Sequence, residues 1–307
     1  MGILGKISRS IKDPKKAIVR NVNRVDDYTG KKVFGNTVGF KRNFVGSRSI
    51  SKLDETLKES NPKAYNLAKN QFLFLDKIYD DSIISKIKSK YDQLMENEQT
   101  SVIVVQHKGQ VFSRQIKTPM QALPELEELL IKDVTDIIKG YYGKNFQIKE
   151  VVGYRNYHVP SEISSKHATF SDRWHCDRRN TSEMKLFVCL SNVTESNGPF
   201  HVQSMERTKY LMDAGFGTRE DYSVPKEILD DPEHIKKAIG QSGSAYFGNA
   251  NLCLHKAGIP AEGHQRDLIA FVFIPSNEPL KDDWKDHVKY SYGEDMLDHT
   301  INETTNN

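Results

Sequence analysis

The chain has 307 residues, of which 37% are hydrophobic and 28% charged, and its net charge is +3. This composition excludes a disordered or fibrous chain. Its longest apolar stretch, 268–274, is too short to span a bilayer, and no secretory signal pattern opens the sequence. Three cysteines at irregular spacing give no disulfide framework, so we expect a cytoplasmic protein.

Positive charge is concentrated at the N-terminus. Residues 1–50 hold 12 Lys and Arg against 3 Asp, a balance of +9, so the rest of the chain carries −6. Such an arm could attract phosphate-rich surfaces, either lipid or nucleic acid. The alternative is a solvated leader, and nothing in the arm gives a clear nucleic-acid motif. Ile3, Leu4, Ile7 and Ile11 would share one helical face, which leaves a weak possibility of contact with an anionic membrane surface.

The predicted elements before residue 146 are helices and one hairpin. We treat 1–58 as a basic N-terminal extension. Residues 61–79 suggest a helix or a helix–strand edge, and 81–98 has apolar residues at three- and four-residue steps, which predicts a helix. Residues 102–116 are typical of a hairpin. A further helix is predicted over 124–142, with proline at its start and Gly143 after its end.

From residue 146 onward the pattern changes to short strands. The predicted strands are 146–157, 173–177, 184–193, 199–202, 243–247, 252–256 and 266–274, and a helix is expected around 225–239. Many strands without crossover helices favour an all-β core with flanking helices, in a double-stranded β-helix (a cupin-like jelly roll) with a helical N-terminal part. We therefore predict one domain over 59–290, with an insertion at 208–240, and a C-terminal tail at 291–307.

The most informative stretch is Trp174-His175-Cys176-Asp177. On an extended strand, residues i and i+2 point to the same face, so His175 and Asp177 can converge on one point. Two histidines and one carboxylate, with coordination positions left open, form the site of non-haem Fe(II) oxygenases. We therefore interpret His175 and Asp177 as two of three metal ligands.

A distant strand supplies the third candidate. His255 follows Asp177 by 78 residues, and by alternation it shares a face with Cys253 and Asn251. Eleven residues later Arg266 begins a strongly apolar strand, and its planar fork suits a carboxylate. Placed after His255, Arg266 is most simply the anchor of a dicarboxylate co-substrate.

These residues resemble the phytanoyl-CoA dioxygenase family. The resemblance rests on His175-x-Asp177, on His255 and Arg266, and on the segment Asn197-Gly198-Pro199-Phe200 between them, and it covers roughly 146–276. It implies an Fe(II)- and 2-oxoglutarate-dependent dioxygenase with a double-stranded β-helix core. The two histidines and the aspartate would bind iron, and Arg266 would hold the far carboxylate of 2-oxoglutarate.

The strand Gly153-Tyr154-Arg155-Asn156-Tyr157 looks like the family strand that lines the co-substrate site. Because Gly153, Arg155 and Tyr157 share a face, Tyr157 is our candidate for a hydroxyl donor to 2-oxoglutarate. The expected reaction is hydroxylation of a small-molecule substrate by dioxygen, with release of succinate and CO2. Two alternatives stay open: a jelly-roll metalloenzyme that does not use 2-oxoglutarate, and a non-catalytic module associated with membrane or nucleic acid.

Overall fold

The computed structural model describes residues 55–96, 102–107, 109–165, 171–177, 182–217, 223–288 and 299–300. Its α-helices are α1 (Glu55–Ser60), α2 (Pro62–Asn70), α3 (Asp81–Glu96), α4 (Pro119–Ala122), α5 (Lys132–Tyr142), α6 (Ser161–Ser164), α7 (Met205–Asp213) and α8 (Lys226–Leu229). Short 3-10 helices lie at Pro124–Leu129, Glu195–Asn197, Pro232–His234 and Trp284–His287. Within these ranges no helix has the length and apolar character needed to cross a membrane.

The strands form two sheets. They are β1 (Phe72–Leu75), β2 (Val102–His107), β3 (Gln110–Ile116), β4 (Phe146–Tyr157), β5 (Met184–Cys189), β6 (Phe200–Gln203), β7 (Ile235–Ala238), β8 (Ala245–Gly248), β9 (His255–Ala257), β10 (Gln265–Pro275) and β11 (His299–Thr300). Among the described residues, eight strands form one sheet in the order β1-β8-β5-β10-β4-β3-β2-β11, and three form a smaller sheet in the order β7-β6-β9. All pairs are antiparallel except β11 with β2.

The centre of the larger sheet is β10, which pairs with β4 on one side and β5 on the other. Its alternate residues point to opposite faces. Ile269, Phe271 and Phe273 pack among the helices, whereas Leu268 and Ala270 face the smaller sheet. Because both faces are covered, β10 is apolar almost throughout, and each large apolar side chain buried there contributes about 1.5–3 kcal/mol.

The helices cover one face of the larger sheet. In α5 the buried residues recur at helical spacing, and the helix ends at Gly143, whose φ of 63° is in the left-handed region that glycine adopts readily. Close packing of α2 on α5 depends on Gly140, because a Cβ there would lie 2.6 Å from the Cβ of Ala64. Asn61 caps α2 by accepting from the N–H of Ala64 and also donates to the carbonyl of Asp136 in α5. The helical layer is thereby fixed on the sheet face opposite the smaller sheet.

The predicted all-β core with flanking helices is confirmed, and β4 and α3 lie where the pattern placed them. Two helix predictions are wrong. The segment 124–142 is a 3-10 helix followed by α5, because the backbone of Ile131 is extended (ψ 160°) and separates the two. The segment 225–239 contains only the one-turn α8, a 3-10 turn beginning at Pro232, and β7, which joins the smaller sheet.

The predicted extension and tail fall largely outside the described residues. Of 1–58 the structure describes 55–58, which lie in α1, and of 291–307 it describes 299–300, which form β11 beside β2. The boundaries 1–58, 59–290 and 291–307 therefore stay predictions.

Candidate metal centre and co-substrate site

Backbone pairing brings the predicted ligand residues together. His175 and His255 form an antiparallel bridge in which the N–H of each residue donates to the carbonyl of the other over 3.0 Å. Two residues further on, the N–H of Asp177 donates to the carbonyl of Ala250 at 2.9 Å. The bridge sets the two imidazoles side by side, with ring centroids 4.2 Å apart, and the second bond holds Asp177 next to them.

The ligand atoms of these three side chains face a common point. Oδ1 of Asp177 lies 3.3 Å from Nε2 of His175 and 3.7 Å from Nε2 of His255, and each of the three residues offers a ligand atom within 4.8 Å of the others. Two ligands bound to one cation at a right angle, each about 2.1 Å from it, lie about 3 Å apart. The cluster therefore has the dimensions of a single metal site.

Both histidines are held in the tautomer that a metal requires. Nδ1 of His175 lies 2.7 Å from the carbonyl oxygen of Arg173, and Nδ1 of His255 lies 3.0 Å from that of Cys253. A carbonyl oxygen only accepts, so each Nδ1 carries the proton and each Nε2 keeps its lone pair. Nε2 of His175 is buried and has no hydrogen-bond partner in the described part of the chain. A cation would provide that partner.

The charges around the cluster favour the metal-binding protonation states. Burial would raise the pKa of Asp177, but the positive charge of Lys185 and the hydrogen bond that Lys185 donates hold it well below its usual range. Burial, reinforced by His175, lowers the pKa of His255 to about 3. Lys185 Nζ donates to Oδ2 of Asp177 at 2.5 Å, which leaves Oδ1 directed toward the imidazoles. At neutral pH the donors are one carboxylate and an imidazole that burial keeps neutral, a set suited to a divalent cation.

Arg266 is a buried cation on the inner face of β10. The residue is 2% exposed, and its Nη1 donates to the carbonyl of Gly258 at 3.2 Å, while its Nε has no partner. No carboxylate forms an ion pair with it in the ranges that the structure describes. Because a buried charge without a counterion is costly, this arrangement indicates a missing anionic partner.

A cluster of stacked aromatic rings lies beside His255. The ring of Phe200 stacks 5.4 Å from the ring of His255 and 5.1 Å from that of Tyr246, which in turn stacks 4.8 Å from Phe187. Tyr246 is 2% exposed, and its hydroxyl bonds to none of the described residues. Burial raises the pKa of Tyr246 well above its ordinary value, and the nearby charge of Arg266 opposes this rise. The charge of Arg266 therefore acts on the buried phenol of Tyr246.

The structure does not bring Tyr157 to this cluster. Gly153, Arg155 and Tyr157 do share a face of β4, but it is the face toward the helices, where Arg155 Nε donates to Asp267 at 2.6 Å. Tyr157 pairs with Gln265 and lies near Tyr91 of α3. We therefore correct the assignment of Tyr157 as a co-substrate residue.

Sequence reasoning missed Tyr246, which lies in β8 on the face that looks toward the smaller sheet. Alternation along the strand places Tyr246 on the face opposite Ala245 and Phe247, but the sequence does not indicate which face is internal. Lys185 pairs with Asp177.

No protein-family model matches the sequence, and no curated protein matches it significantly. Solved structures do match. The non-heme, alpha ketoglutarate dependent epimerase SnoN from nogalamycin biosynthesis aligns with a TM-score of 0.53 at 12% identity, over 72% of this chain and 84% of that one. EctD from S. alaskensis gives 0.53 at 13% identity, over 79% and 91%. The alpha ketoglutarate dependent carbocyclase SnoK gives 0.50 at 12% identity, over 73% and 88%.

At these identities the likeness shows the fold, and the predicted jelly-roll fold class is confirmed. SnoN has also been solved in complex with Fe3+, alpha ketoglutarate and nogalamycin RO. The predicted pair of Fe(II) and 2-oxoglutarate agrees with the groups in that complex and with the His–Asp–His cluster. These comparisons do not show that the chain belongs to the phytanoyl-CoA dioxygenase family.

Proposed function

We propose that this chain is an Fe(II)- and 2-oxoglutarate-dependent oxygenase that hydroxylates a small-molecule substrate, and that it is related to the phytanoyl-CoA dioxygenases. The observation that carries the proposal is the arrangement of His175, Asp177 and His255, whose ligand atoms lie within 4.8 Å of one another while both Nδ1 atoms bond to backbone carbonyls. The irregular spacing of the three cysteines, which gives no disulfide framework, supports a reducing compartment such as the cytoplasm.

This function gives a role to the buried polar residues of the site. His175, His255 and Asp177 would hold the iron, and Lys185 keeps the second oxygen of Asp177 occupied. Arg266, with its unpartnered Nε, would bind the distal carboxylate of 2-oxoglutarate. When bound, iron and dioxygen supply the oxidising chemistry, in which 2-oxoglutarate gives succinate and CO2 and the substrate gains one oxygen atom.

The walls of the site suit this chemistry. Phe187, Phe200 and Tyr246 form a continuous aromatic surface beside His255, and all three are buried. Such a surface excludes water, which strengthens the attraction between a guanidinium and a carboxylate. The dry interior also protects a strongly oxidising centre from side reactions with solvent.

One alternative keeps the metal and omits 2-oxoglutarate. It leaves the buried charge of Arg266 without a counterion, which makes it the weaker reading. SnoN is an alpha ketoglutarate dependent epimerase and SnoK an alpha ketoglutarate dependent carbocyclase, so proteins of similar fold use alpha ketoglutarate for outcomes other than hydroxylation. Succinate formation is common to hydroxylation and to other 2-oxoglutarate-dependent oxidations and is therefore the better first assay.

The deciding experiment is an anaerobic titration of the iron-loaded protein with 2-oxoglutarate. We expect a weak visible charge-transfer band that saturates with 2-oxoglutarate, that Arg266→Met weakens, and that His255→Ala abolishes together with iron binding. Normal iron loading without a band would favour the metalloenzyme that does not use 2-oxoglutarate. Failure to bind iron would favour the non-catalytic module. A mass increase of 16 in a cell extract, dependent on 2-oxoglutarate and dioxygen, would then identify the substrate.

A further inference from the structure

Asp230 lies between α8 and the 3-10 turn at Pro232, and its carboxylate oxygen Oδ1 receives two hydrogen bonds. Nε1 of Trp174 donates to it at 2.7 Å, and Nζ of Lys256 donates to it at 2.7 Å. The ammonium group of Lys256 also lies 4.7 Å from the centre of the Trp174 ring. The three side chains form a closed group, which we call the Asp230 clamp.

The two donors of the clamp are direct neighbours of metal-ligand candidates. Trp174 precedes His175, and Lys256 follows His255. Since His175 and His255 are themselves bridged, Asp230 links the same two segments that carry both imidazoles. Successive side chains of an extended chain point to opposite faces, so the clamp closes over the face of this ribbon opposite the metal cluster.

The backbone joins the two imidazole-bearing segments at only a few points. Besides the bridge and the bond from Asp177, the N–H of Ala257 donates to the carbonyl of Ser171 at 2.8 Å, and 173–177 forms no extended strand within the described residues. These backbone bonds set the spacing of the two segments. The two bonds to Asp230 add a side-chain link between the residues next to both histidines and so restrict the angle between the two rings.

The surroundings show that the clamp is built into the fold. Trp174 is 5% exposed and packs with Leu211, Phe216 and Leu229 of the segment that leads to Asp230. Burial would raise the pKa of Asp230, but the bonds from Lys256 and Trp174 lower it below its usual value. Asp230 is therefore ionised at neutral pH, and its bonds are charge-assisted.

We propose that Asp230 is a positioning residue of the metal site, which holds His175 and His255 in the relative orientation that binds a divalent cation tightly. The inference rests on the metal site of the proposed function, although it does not depend on 2-oxoglutarate or on the substrate. It also gives the segment before β7 a role in the metal centre, although that segment supplies no ligand.

The test is the affinity of the full-length protein for Co(II), measured by calorimetry and by the visible spectrum of the bound ion. Loss of a partner that orients metal ligands typically weakens binding 10- to 100-fold, so we expect the Kd of Asp230→Ala to rise about tenfold with an altered cobalt spectrum. Asp230→Asn keeps an acceptor oxygen and should recover part of the affinity.

The matched control is Asp231→Ala. Asp231 is adjacent and similarly exposed, and it accepts from the N–H of Glu233, but it bonds to neither neighbour of the histidines. We expect it to bind Co(II) like the wild type. Should Asp230→Ala fold poorly, Trp174→Phe removes only one donor, and we expect it to raise the Kd severalfold in a folded protein.

Wild-type affinity in Asp230→Ala, or an equal loss in Asp231→Ala, would overturn the proposal. A double variant with Trp174→Phe and Asp230→Ala should lose less than the sum of the single losses, because both changes break the same bond; strict additivity would also contradict it. If the wild type takes up no Co(II), the metal site and the clamp fall together. If it takes up Co(II) but not 2-oxoglutarate, only the proposed function fails.

Discussion

Replacement of Arg266 by methionine should make the protein more stable and remove its response to 2-oxoglutarate. Arg266 is 2% exposed and bonds to the carbonyl of Gly258, and no carboxylate in the described chain neutralises it. Exchange of a buried charge for a well-packed apolar side chain of similar volume is often neutral or stabilising by about 1–4 kcal/mol. Here no ion pair would be lost, so the free energy of unfolding should rise toward that range.

The size of the effect can be measured by thermal unfolding of the protein without 2-oxoglutarate. In a chain of 307 residues, each kcal/mol moves the Tm by about 2 °C, so Arg266→Met should melt up to about 8 °C above the wild type. A hundredfold excess of 2-oxoglutarate over its Kd stabilises a binding protein by about 2.7 kcal/mol. The wild type should therefore gain about 5 °C, whereas Arg266→Met should gain nothing.

The chain offers a matched control in Arg155, which pairs with the same region of β10 from the opposite face. Arg155 donates to Asp267 at 2.6 Å and also pairs with Asp92, so its charge is neutralised. Breaking a buried ion pair by removal of one partner costs about 3–5 kcal/mol, so Arg155→Met should melt about 6–10 °C lower. A large destabilisation by Arg266→Met, similar to that of Arg155→Met, would show that Arg266 has a structural role and would refute the reasoning.

The remaining predictions concern the other parts of the site and His201, a residue of β6. Tyr246→Phe should weaken 2-oxoglutarate binding about tenfold, since a hydrogen bond to a charged group contributes about 1.5–3 kcal/mol. Tyr157→Phe, on the face toward the helices, should leave the affinity unchanged. Calorimetry of 2-oxoglutarate binding to the Co(II) form of each variant measures the difference. His255→Ala should weaken Co(II) binding more than about 100-fold, because it removes a ligand rather than a supporting group, and retained affinity would exclude His255 from the site. Burial, Lys256 and Lys237 lower the pKa of His201 from 6.5 to about 4, although Glu195 opposes them. The unfolded state therefore binds more protons between these values, and the free energy of unfolding falls as the pH is lowered from about 6.5 to about 4. In urea unfolding, the free energy of unfolding of His201→Gln should fall less over that interval than that of the wild type. The same pH dependence in both proteins would contradict a lowered pKa of His201.

Those parts of the fold that depend on local sequence could be predicted. The 12-residue β4 is Phe146–Tyr157 as the pattern indicated, and the apolar stretch 268–274 lies inside β10. A strand covered on both faces must be apolar along its length, so the sequence itself carries the signal. The prediction of one helix over 225–239 is wrong because local signals in the segment interrupt the helix. Pro232 has no N–H to donate, and Asp231 caps a separate turn, so a periodic pattern did not become one helix.

The residues of the candidate site also fall into those that local sequence predicts and those that depend on packing. The clustering of His175 and Asp177 follows from their i, i+2 spacing, and His255 joins them as its place in the chain predicted. The role of Arg266 stays a prediction. The prediction of Tyr157 failed because alternation groups residues by face but does not say which face is internal. That choice depends on the packing of α3 against β4 and β10, where Arg155 meets Asp267. It is settled by contacts between residues more than 100 positions apart.

Asp230 shows why the supporting residues of a site are harder to predict than its ligands. Ligands belong to a few residue types, because a metal accepts only certain donor atoms, and their spacing reflects the strands that carry them. A residue that orients those ligands needs only a hydrogen-bond acceptor at the right place, and many residue types provide one. Asp230 is 56 positions from Trp174 and 26 from Lys256, in a segment without a recognisable motif. Its role follows from one oxygen atom shared between the neighbours of two histidines, a relation that exists only after the chain has folded.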